Sequence, residues 1–318
     1  MASLHRRIAL IPLIALSGLL LAACGQVSPT PPTLVVPATT QPTAQTGPTF
    51  TALPPTVTPT PLLPSPTPAP LAARINNAKL TLAEYNSELQ RLQQGLKETG
   101  KPMSADEQRQ TVLQDLTDQM LLAQAAAQGG YTLSDADFQK RLSAVITSGG
   151  GAAAFADWLT RNFYTEDSFG QALRRSMAAA WQRDQLIAAA PTTAEQVHAR
   201  QILVLNEDLA KRLVAQLQAG TNFETLAIQM DPESGGELGW FPRNYLFLPE
   251  IEAVAFDLQP GKYSAIIKTS YGYHIVYSIE RDANRALAPD ARLQAQRLFL
   301  KTWLTDQRKK SQVEILIK

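Results

Sequence analysis

The chain carries little of the usual catalytic equipment. It has one cysteine, Cys24, and three histidines, His5, His198 and His274. A single thiol excludes internal disulfides, thiolate zinc sites and iron–sulfur clusters. His5 lies in the first few residues, so two imidazoles remain for a folded body, too few for a multi-histidine metal centre. Neither a Gly-x-Ser-x-Gly elbow nor a Walker loop is present. Lys+Arg total 29 against Asp+Glu 28, a net charge of +1, so no strong basic field gathers nucleic acid.

The setting of Cys24 is specific. His5, Arg6 and Arg7 form a short positive region, and residues 8–23 are an apolar run broken by Pro12 and Gly18. That run is short of the ~20 residues a membrane-spanning helix needs and suits a signal-peptide core. It ends in Leu21-Ala22-Ala23-Cys24-Gly25, which resembles a bacterial lipobox, where the thiol is acylated and the chain is cut before it. Residues 1–23 are therefore expected to be a lipoprotein signal peptide, with Cys24 lipidated and the body outside a bacterial cell membrane. Several acyl chains anchor stably where one is marginal. The competing reading is an uncleaved anchor helix.

Residues 24–72 are expected to be a disordered Pro/Thr-rich tether. Residues 25–70 hold 14 of the 22 prolines and no charge, a composition that can neither continue a helix nor bury a core. As polyproline-like coil at ~3.1 Å per residue it reaches at most roughly 140 Å. The alternatives are a Pro-rich ligand for aromatic grooves and a glycosylated stalk.

Beyond the tether the pattern turns helical. Residues 74–80 read as a short β turn around Asn76-Asn77. Thr81-x-x-Glu84 and Ser104-x-x-Glu107 are capping boxes. The helices behind them carry Leu82, Tyr85, Leu89, Leu92 and Leu96, then Val112, Leu113, Leu116, Met120 and Ala123, and stop near Gly100 and Gly129-Gly130. Ser134 opens a third helix with Phe138, Leu142, Val145 and Ile146. A short turn over 155–159 follows, and Thr165 starts a long helix through Phe169, Leu173, Met177 and Trp181, stopped by Pro191. Far along the chain, residues 291–310 again read as helix, with Leu293, Leu300 and Leu304 on one face, and 313–317 as a strand. Such a face must be buried. Residues 284–318 are therefore expected to dock on the helices of 73–190, the last strand pairing near Ile75, so that the helical domain is discontinuous.

Residues 191–283 read as an inserted α+β module. It comprises a strand over 198–204, a helix capped by Asn206 and ended by Gly220, and a short helix capped by Thr221. A glycine-rich loop over 231–241 follows, then a short helix opened by Pro249, a turn at Gln259-Pro260-Gly261, and two strands over 263–267 and 273–279.

Five blocks in this module carry a resemblance. They are His198-Ala199-Arg200-Gln201-Ile202-Leu203-Val204, Gly235-Gly236-Glu237-Leu238-Gly239-Trp240-Phe241, Pro249-Glu250-Ile251-Glu252-Ala253-Val254-Ala255-Phe256, Leu258-Gln259-Pro260-Gly261 and Tyr271-Gly272-Tyr273-His274-Ile275-Val276. In order and spacing they resemble the parvulin-type peptidyl-prolyl cis–trans isomerases. The Ile75-Asn76-Asn77 and Leu80-Thr81 opening, with the split helical domain, resembles the SurA and PrsA class of extracytoplasmic foldases. The resemblance implies an α+β chain: a discontinuous all-α SurA-N-like chaperone domain with an inserted parvulin-like domain, its small antiparallel sheet flanked by short helices.

It also implies a reaction and a site. A prolyl bond turns over a barrier of about 18–20 kcal/mol, and at the top the twisted amide has lost resonance and charge separation. A dewatered apolar cup favours that state, so no metal or cofactor is called for. By the resemblance Leu238, Phe247 and Ile251 form the cup. His274, Thr269 and Gln201 belong to a polar network under it, and Asp231 takes the acidic position. Gln201 stands where the family usually has histidine, and Phe247 and Ile251 where it often has methionine and phenylalanine. Phe256, Trp240 and Phe241 are expected to pack, and His198 to lie on the surface. Asn206-Glu207-Asp208 replaces the basic cluster of phosphate-directed parvulins, so no preference for phosphorylated substrate is expected. The expected partners are unfolded or partly folded secreted polypeptides with X-Pro bonds, and a membrane through the lipid anchor, without nucleic acid; a homodimer through the helical domain is compatible with the sequence. The function expected first is a membrane-anchored prolyl isomerase and foldase. A holdase with a weak or inactive parvulin module and a structural lipoprotein are the competing readings.

Overall fold

The computed structural model describes residues 69–317. The expected signal peptide, Cys24 and most of the tether lie outside the described residues. After Pro70 the small and apolar run Leu71-Ala72-Ala73 extends into β1 (Leu71–Ile75), which turns at Asn76, φ 53°, into β2 (Ala78–Thr81); asparagine tolerates that left-handed conformation. Ala72 is fully buried. The expected tether thus overlaps β1 at Leu71 and Ala72, and Ala72 packs into the helical core because its small side chain has apolar neighbours there.

Thr81 then caps α1 (Leu82–Thr99) by accepting the Glu84 N–H, and Gly100, φ 65°, ends it. Ser104 and Glu107 form both halves of a capping box on α2 (Ala105–Gln128). Next come α3 (Asp135–Ser148), α4 (Ala152–Arg161) and α5 (Glu166–Ala189). The turn expected over 155–159 is instead the ten-residue α4. Its Ala152-Ala153-Ala154 start has the best helix propensity available, and both Phe155 and Trp158 meet the ring of Phe169 edge-on.

The inserted part runs β3 (Thr193–Val204), α6 (Glu207–Gln218), α7 (Phe223–Met230), β4 (Glu237–Pro242), α8 (Pro249–Asp257), β5 (Lys262–Tyr263), β6 (Ile267–Thr269) and β7 (Gly272–Ala286). The chain closes with α9 (Pro289–Lys310) and β8 (Val313–Ile315). The sheet has the order β4-β3-β7-β5, with β6 also on β7, and its pairs are antiparallel. Three expectations are corrected here. The β3/β7 ribbon continues to Thr193↔Ala286, past the boundary at 283, since nothing interrupts its ladder. The end of the glycine-rich loop is the strand β4, which β3 recruits by pairing. The cap of α7 is Asn222, whose side chain accepts the Thr225 N–H, rather than Thr221.

The sheet is covered on both faces. Ile202, Val204 and Ile275 pack with α6 and α7 residues Leu213, Leu217 and Leu226. Val197, Ala199 and Val276 pack with Phe241 and with Ile251, Ala255 and Phe256 of α8. A separate core joins Ile75, Leu80, Tyr85, Val112, Leu116 and Met120. The chain's end returns to it: β8 pairs antiparallel with β1, Ile75 opposite Val313, and Arg308 of α9 grips the Asp118 carboxylate of α2 with two hydrogen bonds of 2.6 and 2.5 Å. Along α9, Phe299, Leu300, Trp303 and Leu304 are half-buried, but Leu293 is exposed. The expected face therefore covers only the later turns.

Candidate functional site

Strand alternation puts His274 and Val276 of β7 on the α8 side of the sheet, together with Val197, Ala199 and Gln201 of β3. Gln201 pairs with Val276 and so lies diagonal to His274, within reach of a long side chain. His274 is only 1% exposed, yet both ring nitrogens are satisfied. Nδ1 is 2.8 Å from Gln201 Oε1, and Nε2 is 2.9 Å from Thr269 Oγ1. An amide oxygen can only accept, so Nδ1 carries the proton and Nε2 accepts from the Thr269 hydroxyl. Thr269 Oγ1 in turn accepts the Tyr271 N–H at 3.0 Å. Burial lowers the His274 pKa, against a smaller opposing pull from Glu250. The ring is therefore a neutral imidazole of fixed tautomer. Gln201, Thr269 and His274 thus come together as one network.

Asp231 does not join it. Its carboxylate accepts the N–H groups of Glu233, Ser234 and Gly236 and the Ser234 hydroxyl. These bonds, the Ser234 hydroxyl first, hold its pKa below the usual aspartate range. Asp231 folds the loop over 231–236, and that loop touches the network only through Gly236, whose C=O accepts the Gln201 N–H at 2.8 Å. Only glycine fits there: φ is 67° and a Cβ would sit 1.9 Å from the Gln201 carbonyl oxygen.

The three expected cup residues differ sharply in access. Phe247 is 81% exposed, Leu238 is half-buried, and Ile251 is 2% exposed within the core. Ile251 faces inward from α8 and packs with Val197, Ala199, Phe241 and Val276, so of the three it is the one without solvent access. Phe247 instead pairs edge-on with Tyr271, ring centroids 5.9 Å apart, and Tyr271 is 51% exposed. The result is an open aromatic platform, with Leu238 half-buried in the core cluster that also holds Ile251. The hollow of about 390 Å³ lined by His198, Phe223, Tyr263 and Tyr277 belongs to the opposite, α6/α7 side of the sheet. His198 there stacks on Trp240 and meets Glu237 at 2.7 Å.

Two residues of this site escape a reading of the sequence. Tyr271 sits in the Thr269–Gly272 turn, and its position follows from its own N–H bond to Thr269. Glu252, buried in α8, reaches back to accept the N–H groups of Asn244, Tyr245 and Leu246 at 2.6, 2.8 and 2.9 Å. It thereby clamps the turn just before Phe247. Nothing in the sequence around Glu252 names the backbone groups it accepts from.

Comparison with known proteins agrees with this architecture. A model of the PPIC-type PPIase domain matches residues 186–280, and one of the SurA-like N-terminal domain matches residues 63–182. The foldase protein PrsA of Caldanaerobacter subterraneus subsp. tengcongensis is 39% identical over 89 residues, 26% of this chain and 29% of that protein. Foldase protein PrsA 2 of Bacillus cereus is 32% identical over 135 residues, 38% of this chain and 47% of the relative. The chain thus spans less than half the length of these relatives. A crystal structure of the peptidylprolyl isomerase PrsA from Bacillus cereus aligns with a TM-score of 0.42 at 20% identity, covering 76% of this chain and 94% of that one. The chain thus carries a PPIC-type peptidyl-prolyl isomerase domain over residues 186–280, preceded by a SurA-like N-terminal domain over residues 63–182.

Proposed function

We propose that this protein is a lipid-anchored extracytoplasmic peptidyl-prolyl cis–trans isomerase that helps secreted or envelope polypeptides fold. The observation that carries the reading is the fully satisfied His274 network, linked through Thr269 to Tyr271 of the exposed Phe247–Tyr271 pair. A prolyl ring laid on this pair and against Leu238 sheds water from the bond before it. The planar amide loses its solvation there, whereas the twisted amide, less charge-separated, loses less, so the barrier falls. Neither proton transfer nor a nucleophile is needed, which suits a histidine held in one tautomer. Leu21-Ala22-Ala23-Cys24 supplies the anchor, the Pro/Thr-rich tether lifts the body off the membrane, and Asn206-Glu207-Asp208 argues against phosphorylated substrates.

Exchange NMR or a protease-coupled assay on a proline peptide tests the catalytic claim. Phe247→Ala, which removes an aromatic contact of about 1.5 kcal/mol, should lower kcat/KM by about tenfold. No rate enhancement by the purified chain would refute it. Acyl labelling lost in Cys24→Ser tests the anchor. A second reading, a holdase that binds chains without turning them over, is favoured by Gln201 in place of the usual histidine and by the openness of the platform. Suppression of client aggregation that survives Phe247→Ala and His274→Ala would support it over the first.

A further inference from the structure

The link between β4 and α8, residues 243–248, carries Phe247 and is held from two directions. From below, the Glu252 carboxylate takes three successive N–H groups, with Asn244 in the left-handed region at φ 62°. From the side, α9 takes hold of the same turn. The Tyr245 hydroxyl donates to the Asp290 carboxylate, and Gln294 Nε2 donates to the Asn244 carbonyl at 2.8 Å. Asp290 and Gln294 are four residues apart, hence on one face of the helix. The Tyr245 contact is strong enough to hold Asp290 below the ordinary carboxylate range and Tyr245 above the ordinary phenol range.

The other end of α9 belongs to the helical domain. Arg308 is bonded to Asp118 of α2, and β8 extends the β1–β2 sheet. At ~1.5 Å per residue a helix of this length is a strut of about 33 Å. It joins the helical core to the turn that presents Phe247. A turn pinned only by Glu252 is still free to rock about that one carboxylate, whereas two further bonds from a separate rigid element fix its orientation. Between the two tie residues Ala291 is buried and Leu293 is exposed, so this turn of α9 is held by one small apolar contact together with the two polar ties.

We propose that Asp290 and Gln294 are positioning residues of the prolyl site: through them α9 sets the orientation of Phe247, so that prolyl-peptide affinity depends on the docking of α9 in the helical domain. This rests on the function proposed above. The test uses the full chain with Tyr245→Phe, Gln294→Ala and the two combined. For the double variant, KM for a proline peptide should rise roughly fivefold with kcat changed by less than about twofold, since binding rather than turnover is lost. In a Phe247→Ala background the same changes should add nothing, because the residue they position is gone. Hydrogen exchange should quicken at the amides of 244–247 and stay unchanged in β3 and β7. Two results would overturn the proposal: an equal KM effect in the Phe247→Ala background, or unchanged exchange at 244–247. A chain without isomerase activity, or indifferent to Phe247→Ala, refutes the proposed function instead, and the exchange result alone then decides whether α9 holds the turn.

Discussion

Replacing Gln201 with leucine leaves the His274 Nδ1–H without a partner in a place that water does not reach, since the ring is 1% exposed and this nitrogen meets only Gln201 Oε1. An orphaned buried donor costs about 1–3 kcal/mol, so about 2 kcal/mol is expected for Gln201→Leu. His274→Leu removes the ring and both its bonds, but Gln201 and Thr269 are half-buried and can turn to water, so its cost is about 1–2 kcal/mol. The double variant contains no orphan, and its cost should equal that of His274→Leu alone. The two single losses should thus exceed the double loss by about 2 kcal/mol, a coupling measurable in a double-mutant cycle. Urea unfolding followed by circular dichroism reads it, provided that the slope with denaturant is the same for all four proteins. Additivity to within about 0.5 kcal/mol would show that the two side chains do not share a hydrogen bond in the interior, and the fixed-tautomer argument would fall with it.

The pH dependence of stability has a definite sign. Burial lowers the His274 pKa in the native state, so as pH falls below about 6.5 the unfolded chain takes up a proton that the native chain refuses. Stability contributed by this group is complete above that pH and declines from there down to the folded pKa; His274→Leu should flatten this part of the curve in a urea titration across pH. Glu252→Gln keeps its volume but sets an amide NH2 against one of three N–H groups, costing about 1–3 kcal/mol, and Glu252→Ala should cost more; equal, near-zero losses for both would refute the clamp. Gly236→Ala brings a Cβ within 1.9 Å of the Gln201 carbonyl oxygen at φ 67°, so the β3 backbone must shift. A loss of about 3 kcal/mol or more is expected, with displaced His274 ring resonances; an unperturbed spectrum would contradict it.

How far the sequence reveals this site depends on how local the determining interactions are. The caps at Ser104 and Thr165 involve residues three apart and are visible as spacing. His274 and Gln201 lie on strands whose alternation and family blocks place them together, whereas Thr269 lies outside those blocks and joins through β6. The strand β4 is hidden because it follows Gly235-Gly236, contains Gly239 and ends in Pro242, all poor strand formers, and its pairing is set by β3, a partner 37 or more residues earlier. The helix α4 is hidden because it is brief and follows three glycines, so its periodicity is too short to register. Ile251 and Phe247 look equivalent as apolar letters, but Ile251 is inside α8, where helical period turns it to the core. Phe247 precedes the helix, where no period applies, and follows a turn held by the Glu252 clamp. That clamp is unreadable in principle, because the partners of Glu252 are backbone N–H groups that every residue but proline has.

The exchange of histidine for Gln201 narrows what the polar network can do. A histidine at that position could donate or accept and could change charge near neutral pH, whereas the Gln201 oxygen only accepts. Its presence fixes the proton of His274 on Nδ1, which leaves Nε2 to accept from the Thr269 hydroxyl, while Thr269 Oγ1 also accepts the Tyr271 N–H. The chain of bonds ends at the residue whose ring stands beside Phe247. No member of this relay needs to gain or lose a proton for the platform to exist. In the isomerase proposed above, such a network acts through geometry rather than proton transfer, joining His274 to the turn that carries Tyr271, which suits a reaction limited by the resonance of an amide.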